Sequence, residues 1–338
     1  MIKNNRQINN ACLVVMVMFL FACSSNKNTA KVDKQVSAVV YPFSDPNNTG
    51  GWVLNTEASD EFDAPVIDED RWYIVGKFEN GVPVYKDPDY PNKKVWKGRA
   101  PSQFSGRNYR LEDGKLILET RWEPDFPFSD EEQKPWGKEE GQVAKFENLT
   151  TACFIGRKDF KYGYMEIKSK AADAEITSAF WATGSQTELD IFEQFGDHRQ
   201  KGKEWKDREL WWSIHDWSRE GKGKTVYTER LDYGFRVADD FHVYGIEWDE
   251  NGMKLYVDGK LFTQATRAQV DAYAKEKNLP NGWVMDGPIH IWLDQETFPW
   301  HGVPDSLEDL ELNSPEGKKE DGVVDFEIEY VRVWQKKQ

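Results

Sequence analysis

Residues 185–197, SQTELDIFEQFGD, set three carboxylates into six positions, Glu188, Asp190 and Glu193, among Leu189, Ile191, Phe192 and Phe195. In an extended strand residues i and i+2 share a face, so Glu188 and Asp190 point one way and Leu189 the other. Glu193 has the wrong parity for that face. One inserted residue, a β-bulge at Ile191-Phe192, returns it there, and bulges are enriched beside active sites. Two carboxylates on one face with a third between them suit retaining glycoside hydrolysis. One attacks the anomeric carbon; the other protonates the leaving oxygen and then activates water, from about 5–5.5 Å away. The middle acid can share a proton with the nucleophile, and like charges so close force pKa values apart. Five steps of about 3.3 Å separate the two Glu Cα atoms by more than ~10 Å, so the bulge and an inward lean must close the gap. The plain alternative is an alternating strand with its acids in solvent.

The elements that would position these acids are strands. From residue 41 the chain is a series of short, β-rich, partly alternating runs, among them KLILETRW (115–122), YGYMEIKSKA, ITSAFWAT, ELWWSIHDW, FHVYGIEWD, PIHIWLDQE and FEIEYVRVWQ. Asp113-Gly114, Asn251-Gly252 and Asp258-Gly259 mark turns between them, and DENGMKLYVDGK reads as a hairpin with a turn at each end. Only residues 266–278, TRAQVDAYAKEKN, carry a helical pattern. Strands at this spacing without interleaved helices predict an all-β antiparallel sandwich, one domain over 41–338. Residues 124–147, charged and Pro-bearing, predict a long loop.

The 338 residues carry 44 Lys and Arg against 59 Asp and Glu, a formal net charge of -15, which argues against nonspecific nucleic-acid binding. A densely sulfated polymer would also be repelled unless basic residues cluster locally. Fifteen Trp, 13 Tyr and 19 Phe supply a large β core, with some indoles left over as stacking platforms for sugar rings. Of the three Cys, only Cys153 lies beyond the N-terminus. A disulfide framework is therefore excluded, and "TACFIGR" makes Cys153 a small buried hydrophobe on a strand.

Residues 1–22 read as a signal peptide, with Lys3 and Arg6 ahead of an apolar run from Ala11 to Ala22 that is too short to span a membrane. Leu20-Phe21-Ala22-Cys23 resembles the bacterial lipobox, which makes Cys23 the lipidated first residue of the mature chain. Residues 23–40 then form a flexible polar tether. Ser24 after the cysteine points onward to the outer membrane of a Gram-negative host. The expectation is an exported, lipid-anchored protein of the bacterial cell envelope, monomeric, with a polysaccharide as its partner.

The segment SAFWATGSQTELDIFEQFG resembles the signature of glycoside hydrolase family 16 in its bulged form, E-[ILV]-D-x-x-E. EASDEFDAPVIDEDRW, NYRLEDGKLIL, TACFIGRKDFKYGYMEIKSKA, FHVYGIEWDENGMKLYVDGKLF and DFEIEYVRVWQ resemble that family in the expected order, from about residue 51 to 335. The resemblance implies a β-jelly-roll with a concave cleft and endo-acting, retaining hydrolysis of β-linked polysaccharides. It implies Glu188 as nucleophile, Asp190 as assisting carboxylate and Glu193 as acid/base, with no cofactor required. Some members hold a structural calcium, for which Asp325 is the candidate ligand here.

Trp181 in SAFW resembles the platform at the cleavage subsite, and His215 resembles a cleft histidine of the red-algal members. Strand parity puts Ser213, His215 and Trp217 on one face, opposite Trp212 and Ile214. In HIWLDQETFPWHG, alternation puts Trp292, Asp294 and Glu296 on one face, with Trp300 beyond. These four read either as the wall of binding subsites or as an exposed strand end. Arg71, Arg107 and Arg157 are further candidates for sulfate or hydroxyl contacts. The Trp-rich strand with His215 and the late LDQETFPWHGVP look most like the red-algal galactanases. The acidic balance leans to agar or porphyran over carrageenan. A κ-carrageenan or furcellaran hydrolase, a laminarinase, and a non-catalytic glycan-binding lipoprotein are the competing functions.

Overall fold

Two sheets face each other across one hydrophobic core in the computed structural model, which describes residues 40–86, 95–134, 143–197, 205–311 and 321–337. The inner sheet runs in space as Lys224–Asp232, Glu209–Asp216, Thr187–Gln194, Ser178–Gly184, Ile289–Asp294, Cys153–Gly156 and Trp72–Ile74, all antiparallel. The outer sheet is built around the long strand Val323–Lys336, paired on either side with Gly163–Lys170 and Lys115–Trp122. Both sheets match the expected all-β sandwich. One short pairing departs from the expected antiparallel order: Gln103–Phe104 lies parallel to Leu149–Thr151.

The alternation in the sequence becomes the layering of the sandwich. In Val323–Lys336, Val324, Phe326 and Ile328 turn inward while Asp325 and Glu327 turn out. Leu116, Met165, Ile167 and Ile246 of the outer sheet meet Phe154, Phe180, Phe192 and Trp212 of the inner one in a single cluster. Burying each such side chain contributes about 1.5–3 kcal/mol. The predicted hairpin is present: Gly252–Val257 pairs with His242–Asp249 and with Lys260–Thr266. Its second turn has positive φ at both Asp258 (48°) and Gly259 (74°), as a type I′ turn requires. The predicted helix forms over Arg267–Glu276, opened by a capping box between Thr266 and Gln269 and docked through Val270 and Ala274.

The signal peptide, Cys23 and all but the last residue of the tether lie outside the described residues, which from Val40 onward belong to one compact unit. No described helix is long and apolar enough to cross a membrane. Asp325 faces outward from the outer sheet, where both its oxygens accept hydrogen bonds from Arg110, at 3.0 and 2.7 Å. Arg110 also holds Glu119 at 2.6 Å. A calcium ion would have to displace that guanidinium, so the donor set here does not fit one.

Candidate active site

The bulge forms where the spacing of the acids requires it. Phe180 pairs with Phe192 and Trp181 with Asp190, which leaves Ile191 as the extra residue on the Thr187–Gln194 strand. Ile191 and Phe192 both join the core, as does Leu189. The reset of parity returns Glu193 to the face of Glu188 and Asp190. Three apolar anchors in the core, Leu189, Ile191 and Phe192, thus offset the cost of holding three acids close together on the other side.

Register across the inner sheet arranges the cleft floor in rows. One row is His290, Thr183, Glu188, His215. The next is Trp292, Trp181, Asp190, Ser213. Beyond the bulge come Asp294, Ala179 and Glu193, so only a methyl group stands between the last two acids.

Asp190 sits at the centre of this grid and is buried. Its Oδ2 accepts a hydrogen bond from Ser213 Oγ at 2.8 Å and pairs with His215 Nε2 at 3.0 Å. His215 Nδ1 lies 3.4 Å from the Gly223 carbonyl and 3.2 Å from Thr225 Oγ1. Burial disfavours the charged imidazole, but the Asp190 hydrogen bond and the charges of Asp190, Glu188 and Glu193 outweigh it and push His215 up to about 9. The ring is therefore a cation at neutral pH. Glu188 accepts from Trp217 Nε1 at 3.0 Å. Loss of water in the cleft and the neighbouring Asp190 push its carboxyl up to about 8, against the opposing pull of His215 and the Trp217 hydrogen bond. Glu193 is held well above the usual carboxylate range by the same two causes in the same order, burial and Asp190. Such an array titrates as a unit.

Glu188, Asp190 and His215 also bring one donor atom each within 4.8 Å of one another, the one group of metal-ligand spacing among the described residues.

The wall beside the acids is layered. Trp181 packs on Trp292 with ring centroids 4.6 Å apart at 32°. Its indole N–H donates to Asp294 at 3.1 Å, and that of Trp292 donates to Thr183 at 2.9 Å. Trp292, Asp294 and Glu296 are all buried, so the reading of this segment as an exposed strand end is corrected. Trp292 packs against its cross-strand neighbour Trp181, and the strand itself ends at Asp294. Glu296 accepts from Trp96 Nε1 at 2.6 Å and pairs with Arg99 at 3.4 Å. Burial, and then the charge of Glu296, hold Asp294 well above the ordinary carboxylate range. Trp300 is 42% exposed and stacks on Phe298 at 4.5 Å, with the Arg99 guanidinium 5.1 Å from its ring.

Arg99 and Trp96 escaped the reading of the sequence. They come from residues 95–102, which form no strand, so no parity argument reaches them. The three arginines that were singled out are engaged elsewhere: Arg71 with Asp60 at 3.4 Å, Arg107 over Phe78 at 4.1 Å, and Arg157 on the Glu69 carbonyl at 2.8 Å. Cys153 is buried on its strand, and burial pushes its thiol well up, out of the range of a nucleophile.

A family model described as "Beta-porphyranase A-D, GH16 domain" matches residues 52–336. The chain belongs to glycoside hydrolase family 16. Within it the chain falls in the agarase and porphyranase branch, and it is a glycoside hydrolase. It is 26% identical to the β-porphyranase B of Phocaeicola plebeius over 330 residues, covering 87% of this chain and 92% of that protein. It is also 25% identical to the glucan endo-1,3-β-glucosidase A1 of Niallia circulans over 299 residues, 82% of this chain but 38% of that protein. The crystal structure of porphyranase B from Zobellia galactanivorans superimposes with a TM-score of 0.57 at 24% identity, covering 84% of this chain and 92% of that one. This likeness places the sandwich of the GH16 chain among the jelly-rolls.

Proposed function

We propose that this family 16 enzyme is a retaining endo-hydrolase that cuts the β-1,4 linkages of a red-algal galactan of the agar or porphyran type. The observation that carries the chemistry is the grid around Asp190. Three carboxylates share one face of a bulged strand, and the middle one is tied to a cationic imidazole. Glu188, as the carboxylate steadied by Trp217 and the His215 charge, attacks the anomeric carbon. Glu193, whose carboxyl burial and Asp190 hold well above its usual range, donates its proton to the leaving oxygen as the glycosidic bond breaks. A covalent glycosyl ester on Glu188 results. Glu193, now a carboxylate, takes a proton from water, whose oxygen attacks the same carbon and frees Glu188. Asp190, bonded to His215 and Ser213, stands beside the positive charge that builds on the sugar ring.

The substrate class rests on the porphyranase family match. Among the described residues five acids, Glu188, Asp190, Glu193, Asp294 and Glu296, meet two cations, His215 and Arg99, so a densely sulfated chain finds few basic partners here. This favours agar or porphyran over the more densely sulfated carrageenan. The glucanase similarity supports laminarin as the second reading. The same proposal has Cys23 lipidated, residues 23–40 tethering a monomeric domain to the outer membrane, and no cofactor in the reaction.

Product analysis on agarose, porphyran, κ-carrageenan and laminarin tests the substrate. Internal cuts in agarose or porphyran, with products released first as β-anomers, are expected. Cleavage confined to laminarin would overturn the galactan assignment, and binding without any sugar release would overturn the enzyme mechanism. Incorporation of labelled palmitate, lost in Cys23→Ser, tests the anchor.

A further inference from the structure

We propose that Trp217 is a positioning residue for Glu188: its indole N–H, carried on the turn after the Glu209–Asp216 strand, holds one carboxylate oxygen and leaves the other to face the sugar. Trp217 is 51% exposed, and an indole that open has little burial to fix its orientation. Here the orientation is built in. The Nε1–H donates to Glu188 Oε2 at 3.0 Å, and the backbone N–H donates to the Gln186 carbonyl at 2.9 Å, which ties the turn to the loop that precedes the acid-bearing strand.

Beneath the ring lies Gly223, at φ +78°. A Cβ there would come within 2.7 Å of the indole edge, so only glycine lets the ring lie where it does. The turn is closed by Asp216, whose side chain is buried. Its Oδ1 accepts from Ser218 N at 2.9 Å, its Oδ2 from Asn281 Nδ2 at 2.8 Å, and its carbonyl from Gly223 N at 2.7 Å. Gly221 is pressed against the same carboxylate. A buried acid, an amide from a distant segment and two close-packed glycines thus fix a turn whose exposed tryptophan reaches one atom of the reacting group. Parity alone puts Trp217 on the face of Ser213 and His215; the hydrogen bond adds a role in the reaction itself. A hydrogen bond to an ionised carboxylate is stronger than one to the neutral acid, so the indole favours the attacking form of Glu188.

This inference rests on Glu188 as the nucleophile. The test is steady-state kinetics against pH for the full chain, on whichever of agarose, porphyran or laminarin the wild type cleaves fastest. Trp217→Phe keeps the ring and removes the donor. The expected result is kcat down about 10- to 100-fold with KM little changed, and the acid limb of the profile displaced to higher pH. Gly223→Ala, which keeps the indole but displaces it, is expected to reproduce both effects. A rise in KM alone, with kcat and the acid limb in place, would overturn the positioning role and leave a platform. Glu188→Gln separates the two claims. Substantial turnover in that variant sinks the nucleophile assignment, whereas an inactive Glu188→Gln beside an unperturbed Trp217→Phe sinks only this inference.

Discussion

On the outer sheet Glu327 receives Lys115 and Lys170, both at 2.6 Å, Glu329 receives Lys168 at 2.7 Å, and Arg110 joins Asp325 and Glu119. In the cleft five acids share His215 and Arg99. Both faces are rich in carboxylates on adjacent strands, yet they behave in opposite ways. Burial would raise Glu327, but its two lysines outweigh it and hold the carboxyl below its ordinary range. Glu188 and Glu193, more deeply buried and beside Asp190, are pushed up despite His215 and Arg99. A balanced ladder keeps its acids ionised and inert over a wide pH range. An unbalanced one keeps protons within reach of a substrate, which is what acid–base chemistry needs. Glu166 is the instructive exception. It lies on the outer sheet but is 1% exposed, bonded by Phe43 N at 2.8 Å and Tyr330 OH at 3.0 Å, and burial pushes it up to about 7. Depth and charge balance, not the choice of sheet, set the protonation state.

The comparison can be broken most sharply in the cleft. Glu193→Gln removes the proton donor, and kcat on polymer should fall by about 10²–10⁴-fold, measured as reducing-sugar release. Retention of most of the activity would show that the unbalanced acids are not the reacting ones. His215→Asn removes the cation that opposes the upward shift of Glu188, so the acid limb of kcat/KM should move to higher pH. The stability consequence has a definite sign. A histidine raised from 6.5 to about 9 contributes stability fully present below pH 6.5 and lost as pH rises through about 9. Urea unfolding should therefore show His215→Asn destabilised at pH 6 and little changed at pH 10.

Glu166→Gln sharpens the exception. A carboxyl raised from 4.5 to about 7 contributes stability that is present below pH 4.5 and lost as pH rises through about 7. The variant should flatten the dependence of Tm on pH between 5 and 8, with kcat unaffected. An unchanged slope would remove Glu166 from the account. The smallest effect belongs to the balanced ladder. Lys170→Ala should cost no more than about 1 kcal/mol and leave turnover as in the wild type, since partly exposed ion pairs contribute little.

Much of this was legible along the chain. The step of three between Asp190 and Glu193 called for a bulge if all three acids were to share a face, and the register shows Ile191 as the extra residue. The Asp258-Gly259 turn, the helix over Arg267–Glu276 and the alternation of the last strand also follow from their own residues. The wall of the cleft was not legible in the same way. Alternation put Trp292 and Asp294 on one face of the Ile289–Asp294 strand, but could not reach Glu296 beyond its end or say that Trp181 from the neighbouring strand packs against Trp292. Arg99 had no signal at all, because an irregular segment carries no period.

The sequence by itself determined which side chains share a face, because strand parity and turn geometry are properties of a few consecutive residues. The tertiary structure alone decided which acids are balanced by cations. Glu327 meets Lys115 from a position 212 residues away, Glu296 meets Arg99 across 197, and Glu188 meets the indole of Trp217 across 29. Coulombic attraction and desolvation act through space, so the protonation of each acid is set by neighbours that only the folded chain brings to it.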